Sequence, residues 1–488
     1  MLMLHRLRWE IRFLLLLLLT PALVWVYLDV RLSWEIDREL RHIRAEGYPV
    51  TPDEIKLKSV PCEQNAATVY LQVMAEGGAF SEPRDPRRPF KCPSGNAYGL
   101  SYQRVLQGDS EAVARARVIL RDPVISGRLE AIAQASRRPE CVFPIDSMRC
   151  EWTEPSDISF LSAAAWAHMA RGALSEREGR LHHALDDYVT TLRLARHATM
   201  QPCPEGQEAG RIGYSIVFRR LRPLLAERHL PADDAQALRA FLEAADPEGD
   251  CRAALPAVRA HCWGLLRATR RQTLLDFVGG PPCPVCSPST APYVLTVLQD
   301  GQDELTNRFY HSPLAHPVHI EDMLTWLRLM RGMIEASRLP PRLAYRAVRD
   351  AQRAAEAPGW VRRPATFILG SVGSRAHSGM ISATASTRLC LIALELKEYR
   401  AQHGAYPDTL GELEQALGRP LPEDPHTGRP FGYRRLDEGC LVYHGDLPPS
   451  PGVVREPVRL LPGTNVPAES AWACDYDGPL VAPDGPDV

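Results

Sequence analysis

A chain of 488 residues has room for two or three domains, and 45% hydrophobic with 24% charged residues excludes wholesale disorder. A formal net charge of −2 excludes a global field that would recruit nucleic acid or acidic lipid. Of 57 basic residues only Lys56, Lys58, Lys91 and Lys397 are lysines. Acids are interspersed almost everywhere, so the arginine excess reads as the spelling of a GC-rich genome, not as a phosphate or RNA site.

Arg6, Arg8 and Arg12 precede an uncharged run, Phe13 to Leu28. Its helix rises about 24 Å, slightly short of a hydrocarbon core of about 30 Å. Snorkelling of Arg12 and interfacial seats for Trp9, Trp25 and Tyr27 close that gap. A cleaved signal peptide has a shorter apolar core and a small-residue cleavage site, whereas apolar residues here continue past Thr20-Pro21-Ala22. The reading is an uncleaved signal anchor over residues 1–30, with the short tail inside and the bulk exported.

Residues 31–375 read as a mainly α ectodomain, beginning with "SWEIDRELRHIRAEG" as a polar stalk. Asn65-Ala66-Ala67 opens a helix whose apolar face includes Val69, Val73 and Met74, and 81–96 is a Pro- and Arg-rich loop. Helical patterns follow in "SEAVARARVILRD" and "GRLEAIAQASRR". From Ser159 two helices meet near Gly179, and Leu181, Ala184, Leu185, Tyr188, Leu192 and Ala195 share one face of the second. Gly172, Gly179, Ala184 and Tyr188 fall where a tetratricopeptide repeat has small, Gly, Ala and aromatic residues, so this hairpin resembles one such repeat. Further helices extend to Val278. A long loop over 279–319 precedes helical "IEDMLTWLRLMRGMIEASRL".

Residues 376–488 read as a small α+β module with a Pro-rich tail. Leu389, Ile392, Ala393, Leu396 and Tyr399 form an apolar helix face that Gly404 ends. Tyr406-Pro407 turns the chain, and Thr409 with Glu412 has capping-box spacing for a second helix. Strands are predicted at Phe431–Leu436 and Cys440–His444. "ALELKEYRAQHGAYPDTLGEL", "LPEDPHTGRPFGY" and "CLVYHGD" resemble the globular part of the type II secretion major pseudopilin, over residues 376–446. The layout also resembles a class of membrane-anchored bacterial proteins whose helical ectodomain starts near an N-A-A-x-x-Y motif and ends in a pilin-like module. That resemblance implies an envelope location. Two features depart from the pseudopilin pattern. The stretch before the helix carries Arg375 and His377 and reads as unable to span a membrane, and Asp475, Asp477 and Asp484 match no calcium loop.

Twelve cysteines suit disulfides in an exported chain. Cys141 with Cys150, and Cys440 with Cys474, are candidate pairs. Cys283-x-x-Cys286 reads first as a disulfide or plain loop thiols, with metal and redox roles as alternatives. Cys390 reads as a buried thiol. No hydrolase, P-loop, Rossmann or zincin motif occurs, and no cofactor is expected. His311, His316, His319 and Glu321 are weak metal candidates because their spacing fits no standard frame. Glu151, Glu154 and Asp157 read as loop and cap acids. The expectation is a membrane-anchored, non-enzymatic envelope protein with secretion or pilus-like partners and no nucleic acid. The alternative is an envelope enzyme or metal binder using the 279–321 loop.

Overall fold

The structure, a computed structural model, describes residues 2–56, 58–76, 96–97, 100–143, 156–228, 230–277, 315–340, parts of 343–353, 364–436, 439–443 and 458–460. It is mainly helical. Helix α1 (Leu2–Ala45) runs unbroken through Pro21. Then come α2 (Ala66–Ala75), the two-residue strands β1 (Asn96–Ala97) and β2 (Leu100–Ser101), α3 (Tyr102–Gln107), α4 (Ser110–Leu120) and α5 (Pro123–Ser136). Asp109 and Asp122 cap α4 and α5 by accepting from backbone N–H groups of their first turns.

Helices α6 (Ser156–Arg177) and α7 (Leu181–Thr199) form the expected hairpin, turned at Gly179 with φ +76°. Gly172 lets it close tightly, since a Cβ there would lie 2.6 Å from the Tyr188 ring. The predicted face is buried: Ala184, Tyr188 and Leu192 are fully enclosed and Leu185 and Ala195 nearly so. The chain continues through α8 (Pro204–Glu227), α9 (Ala232–Ala244) and α10 (Pro247–Phe277).

Helix α11 (His316–Ala336) begins inside the predicted loop, so the loop's last four residues belong to a helix. Pro317 in its first turn costs no hydrogen bond there. Helix α12 (Pro364–His403) is 40 residues long and runs through residues 375 and 376 without a break, packing on α8, α9, α10 and α11. It ends at Gly404, φ +79°.

Helix α13 (Leu410–Leu417) starts with the predicted capping box. Thr409 Oγ1 accepts from Glu412 N at 3.2 Å, and Glu412 Oε2 accepts from Asp408 N at 2.7 Å. Strands β3 (Gly432–Leu436), β4 (Gly439–Tyr443) and β5 (Val458–Leu460) form an antiparallel sheet in that order. Both predicted strands are present, the first starting one residue later and the second lying one residue earlier.

Three hydrophobic clusters hold these parts together. One joins α2 to α6 around Tyr70, Leu129 and Ile132. One joins α1, α10 and α11 around Ile43, Trp263 and Trp326. The third runs from Tyr188 and Leu221 through Leu396 on α12 to Leu413, Phe431 and Cys440. Helical body and α+β module therefore share one core, with α12 as its common member.

Candidate functional site

The sequence candidate His316 lies on the first turn of α11, against α1. It pairs with Asp29, and its ring centroid is 6.2 Å from that of Trp25. Farther along, Arg328 donates to Glu35 at 2.8 Å and Arg331 pairs with Glu39 at 2.5 Å. Residue numbers rise together on both helices, so α1 and α11 run in the same direction. The inner face of α1 holds Trp25, Asp29, Leu32, Ile36, Glu39 and Ile43, spaced four and three apart like a coiled-coil seam. Ile36 and Ile43 are buried, and each such side chain contributes about 1.5–3 kcal/mol.

The exposed Arg328–Glu35 pair adds little stability but penalises slippage of one helix along the other. The Arg328 hydrogen bond holds the Glu35 carboxyl below its usual pKa. The segment expected to be a polar stalk is thus part of the body, and Glu39 on its inner face is buried against Arg331.

Beyond the seam's far end, Arg259 of α10 is 1% exposed, and three of its side-chain nitrogens have no hydrogen-bond acceptor among the described residues. Its guanidinium lies 5.7 Å over the ring of Tyr48, and Arg338 lies 5.4 Å from the same ring. Burial drags the Arg259 pKa down to about 10 against the pull of Glu46 and Glu39.

Two further polar constellations are buried. Asn65 caps α2 by accepting from Ala67 N, accepts from Val142 N at 2.9 Å, and donates to Val142 O at 2.8 Å. Tyr70 OH meets His197 Nδ1 at 2.9 Å, and His197 Nε2 meets Arg138 O at 3.1 Å. The N-A-A-x-x-Y motif is therefore a clamp. Its Asn ties two distant backbone stretches, its alanines allow close approach, and its Tyr reaches α7. Burial pushes the His197 pKa down to about 4.

In the α6–α7 hairpin, Arg171 forks onto Asp187 at 2.7 and 3.0 Å, and His168 Nδ1 lies 2.8 Å from Asp187 Oδ1. Burial raises the Asp187 pKa, but the His168 and Arg171 hydrogen bonds outweigh it and leave the carboxylate ionised; burial keeps His168 neutral. This is a His–Asp couple by chemistry, but His168 is 0% exposed, so the couple fastens the hairpin.

Of the other sequence candidates, His319 is half-buried on the first turn of α11 and Glu321 is exposed. His311 lies outside the described residues. Among the described residues no group of three His, Cys, Asp or Glu side chains could hold a metal ion. Cys141 and Cys440 are buried thiols, as is Cys390. Their proposed partners Cys150 and Cys474 lie outside the described residues, as do Cys283, Cys286, Glu151, Glu154, Asp475, Asp477 and Asp484.

The sequence reading missed Arg259, the tie from Asn65 to Val142 and the α1 seam. The seam had a signal in the heptad-like run Leu32, Ile36, Leu40, Ile43. Compared with known proteins, the chain matches no family model, no curated protein and no solved structure.

Proposed function

We propose that this chain is a single-pass, membrane-anchored protein of the bacterial envelope, its bulk extracytoplasmic and its role one of protein contact rather than catalysis. The observation that carries the reading is the surface of α1. Leu19, Leu23, Val24, Val26, Tyr27 and Val30 are each at least 50% exposed, where a water-facing helix would carry polar residues. They continue the apolar run that begins at Phe13. The sequence resemblance of residues 376–446 to a pseudopilin favours partners from a secretion or pilus-like assembly.

Two measurements test this. Alkaline extraction of native-host membranes should leave the full-length chain in the pellet, with its bulk accessible to protease only from the outer side of the inner membrane. Release into the soluble fraction refutes the anchor. Cross-linked pull-down from those membranes should enrich pilin-like or secretion proteins, and recovery of the chain alone refutes the partner class.

A further inference from the structure

We infer that the helical body sits flush on the bilayer, with the first turn of α11 in the phospholipid headgroup layer. The inference rests on the membrane-anchor reading above. The apolar run ends at Leu28, and its helix is about 6 Å shorter than the hydrocarbon core it has to cross. The residues just outside it are therefore drawn toward the interface.

His316 touches both Trp25 and Asp29. It lies between about 4.5 Å below and 1.5 Å above the end of the run, at a rise of 1.5 Å per residue. Among the described residues, the surface where the body meets α1 begins before the apolar run ends. Ala315, just before His316, is fully enclosed. The Asp29–His316 pair suits such a depth, where an ionisable group is costly unless it has a partner.

The outward face of α1 shows the same level. Val30 and Trp34 remain 63% and 56% exposed beyond the run, and Arg38 lies over the Trp34 ring at 5.9 Å. An indole beside a guanidinium is the side-chain chemistry of a membrane–water interface. Half-buried Val318 is the apolar residue that the first turn of α11 offers to that layer.

The test uses the full-length chain in phospholipid vesicles with a photo-crosslinking amino acid placed singly at Leu23, Val318 or Glu335. Leu23 is in the apolar run. Glu335 is exposed near the other end of α11, about 26 Å from Val318. The expected result is lipid adducts at Leu23 and Val318, with Glu335 at background. Adducts at Leu23 alone overturn the flush seating and leave the anchor standing. Adducts at all three positions overturn it as well, because the body then lies along the bilayer. No adduct at Leu23 overturns the anchor and the inference together. If the probe at Val318 prevents folding, the wild-type chain with lipids carrying a photoreactive headgroup decides: adducts on peptides covering 30–34 and 315–321 support the seating, and their absence refutes it.

Discussion

Helices α1 and α12 are both long and both contain an apolar stretch, yet they occupy opposite environments. In α12 the segment Ala376–His403 has the length and mean hydropathy, 1.3, of a membrane span, but 78% of its apolar window is buried inside the protein. In α1 the large apolar side chains from Leu19 to Val30, Trp25 excepted, face outward. The difference lies in side-chain size. Residues 376–387 of α12 are mostly Ala, Gly, Ser and Thr, which let neighbouring helices approach closely. At Gly379 a Cβ would lie 2.5 Å from the Arg211 side chain. On α1, by contrast, Leu19 and Leu23 are more than half exposed, and under the anchor proposed above acyl chains would surround them. Average hydropathy cannot separate the two cases; the size of the apolar residues does.

The sharpest way to break this comparison is to place the same charge on both helices. Leu23→Arg should weaken membrane retention and leave thermal unfolding of the body unchanged. Ala385→Arg, at a fully buried position, should abolish cooperative unfolding. Equal effects on both readouts would refute the contrast. Next in size is the α6–α7 hairpin, which packs on α8. Asp187→Ala leaves Arg171 without its buried partner and should cost about 3–5 kcal/mol in denaturant unfolding. A loss below 1 kcal/mol would mean the pair is not needed to fasten the hairpin.

Acid should also act on the two helices differently. His377 of α12 is buried, its ring nitrogens have no hydrogen-bond partner among the described residues, and burial beside Arg252 holds its pKa at about 4. His197 is held at about 4 as well. Both bind protons more weakly when folded than the usual value of 6.5. The stability they supply is therefore complete above about pH 6.5 and is lost as pH falls toward 4. Melting temperature should fall across that window, less steeply in His377→Leu, while membrane retention stays constant. The smallest effect belongs to the module at the end of α12. Thr409→Ala removes one cap and should cost about 1 kcal/mol, with no change in membrane retention.

Local features were legible in the sequence because they are written within a few residues. The α7 face, the Gly179 turn, the Thr409–Glu412 box and the β3–β4 hairpin all depend on spacings of about four residues or fewer. Features that join distant segments were not. Asn65 gives no sign that its partner is Val142, and neither Arg259 nor Tyr48 announces the other. The seam of α1 failed for another reason: charges on its outer face set the average, and the stretch was read as a stalk although its apolar spacing was regular. Among the site candidates, His316 was legible only as a weak metal candidate beside His311, His319 and Glu321; its contact with Asp29, a partner 287 residues away, was not.

The Asn65 clamp has one further consequence. Its two hydrogen bonds to Val142, with the bridge between Asn65 and Glu140, join the ends of a chain loop that includes α2 to α5. Once such ends are joined, the entropy of closure grows only with the logarithm of loop length, about 0.6 kcal/mol per doubling. The link between Glu76 and Asn96 can therefore gain or lose residues at little thermodynamic cost. Relatives of this chain should vary most in length there, and least between the clamp and α7.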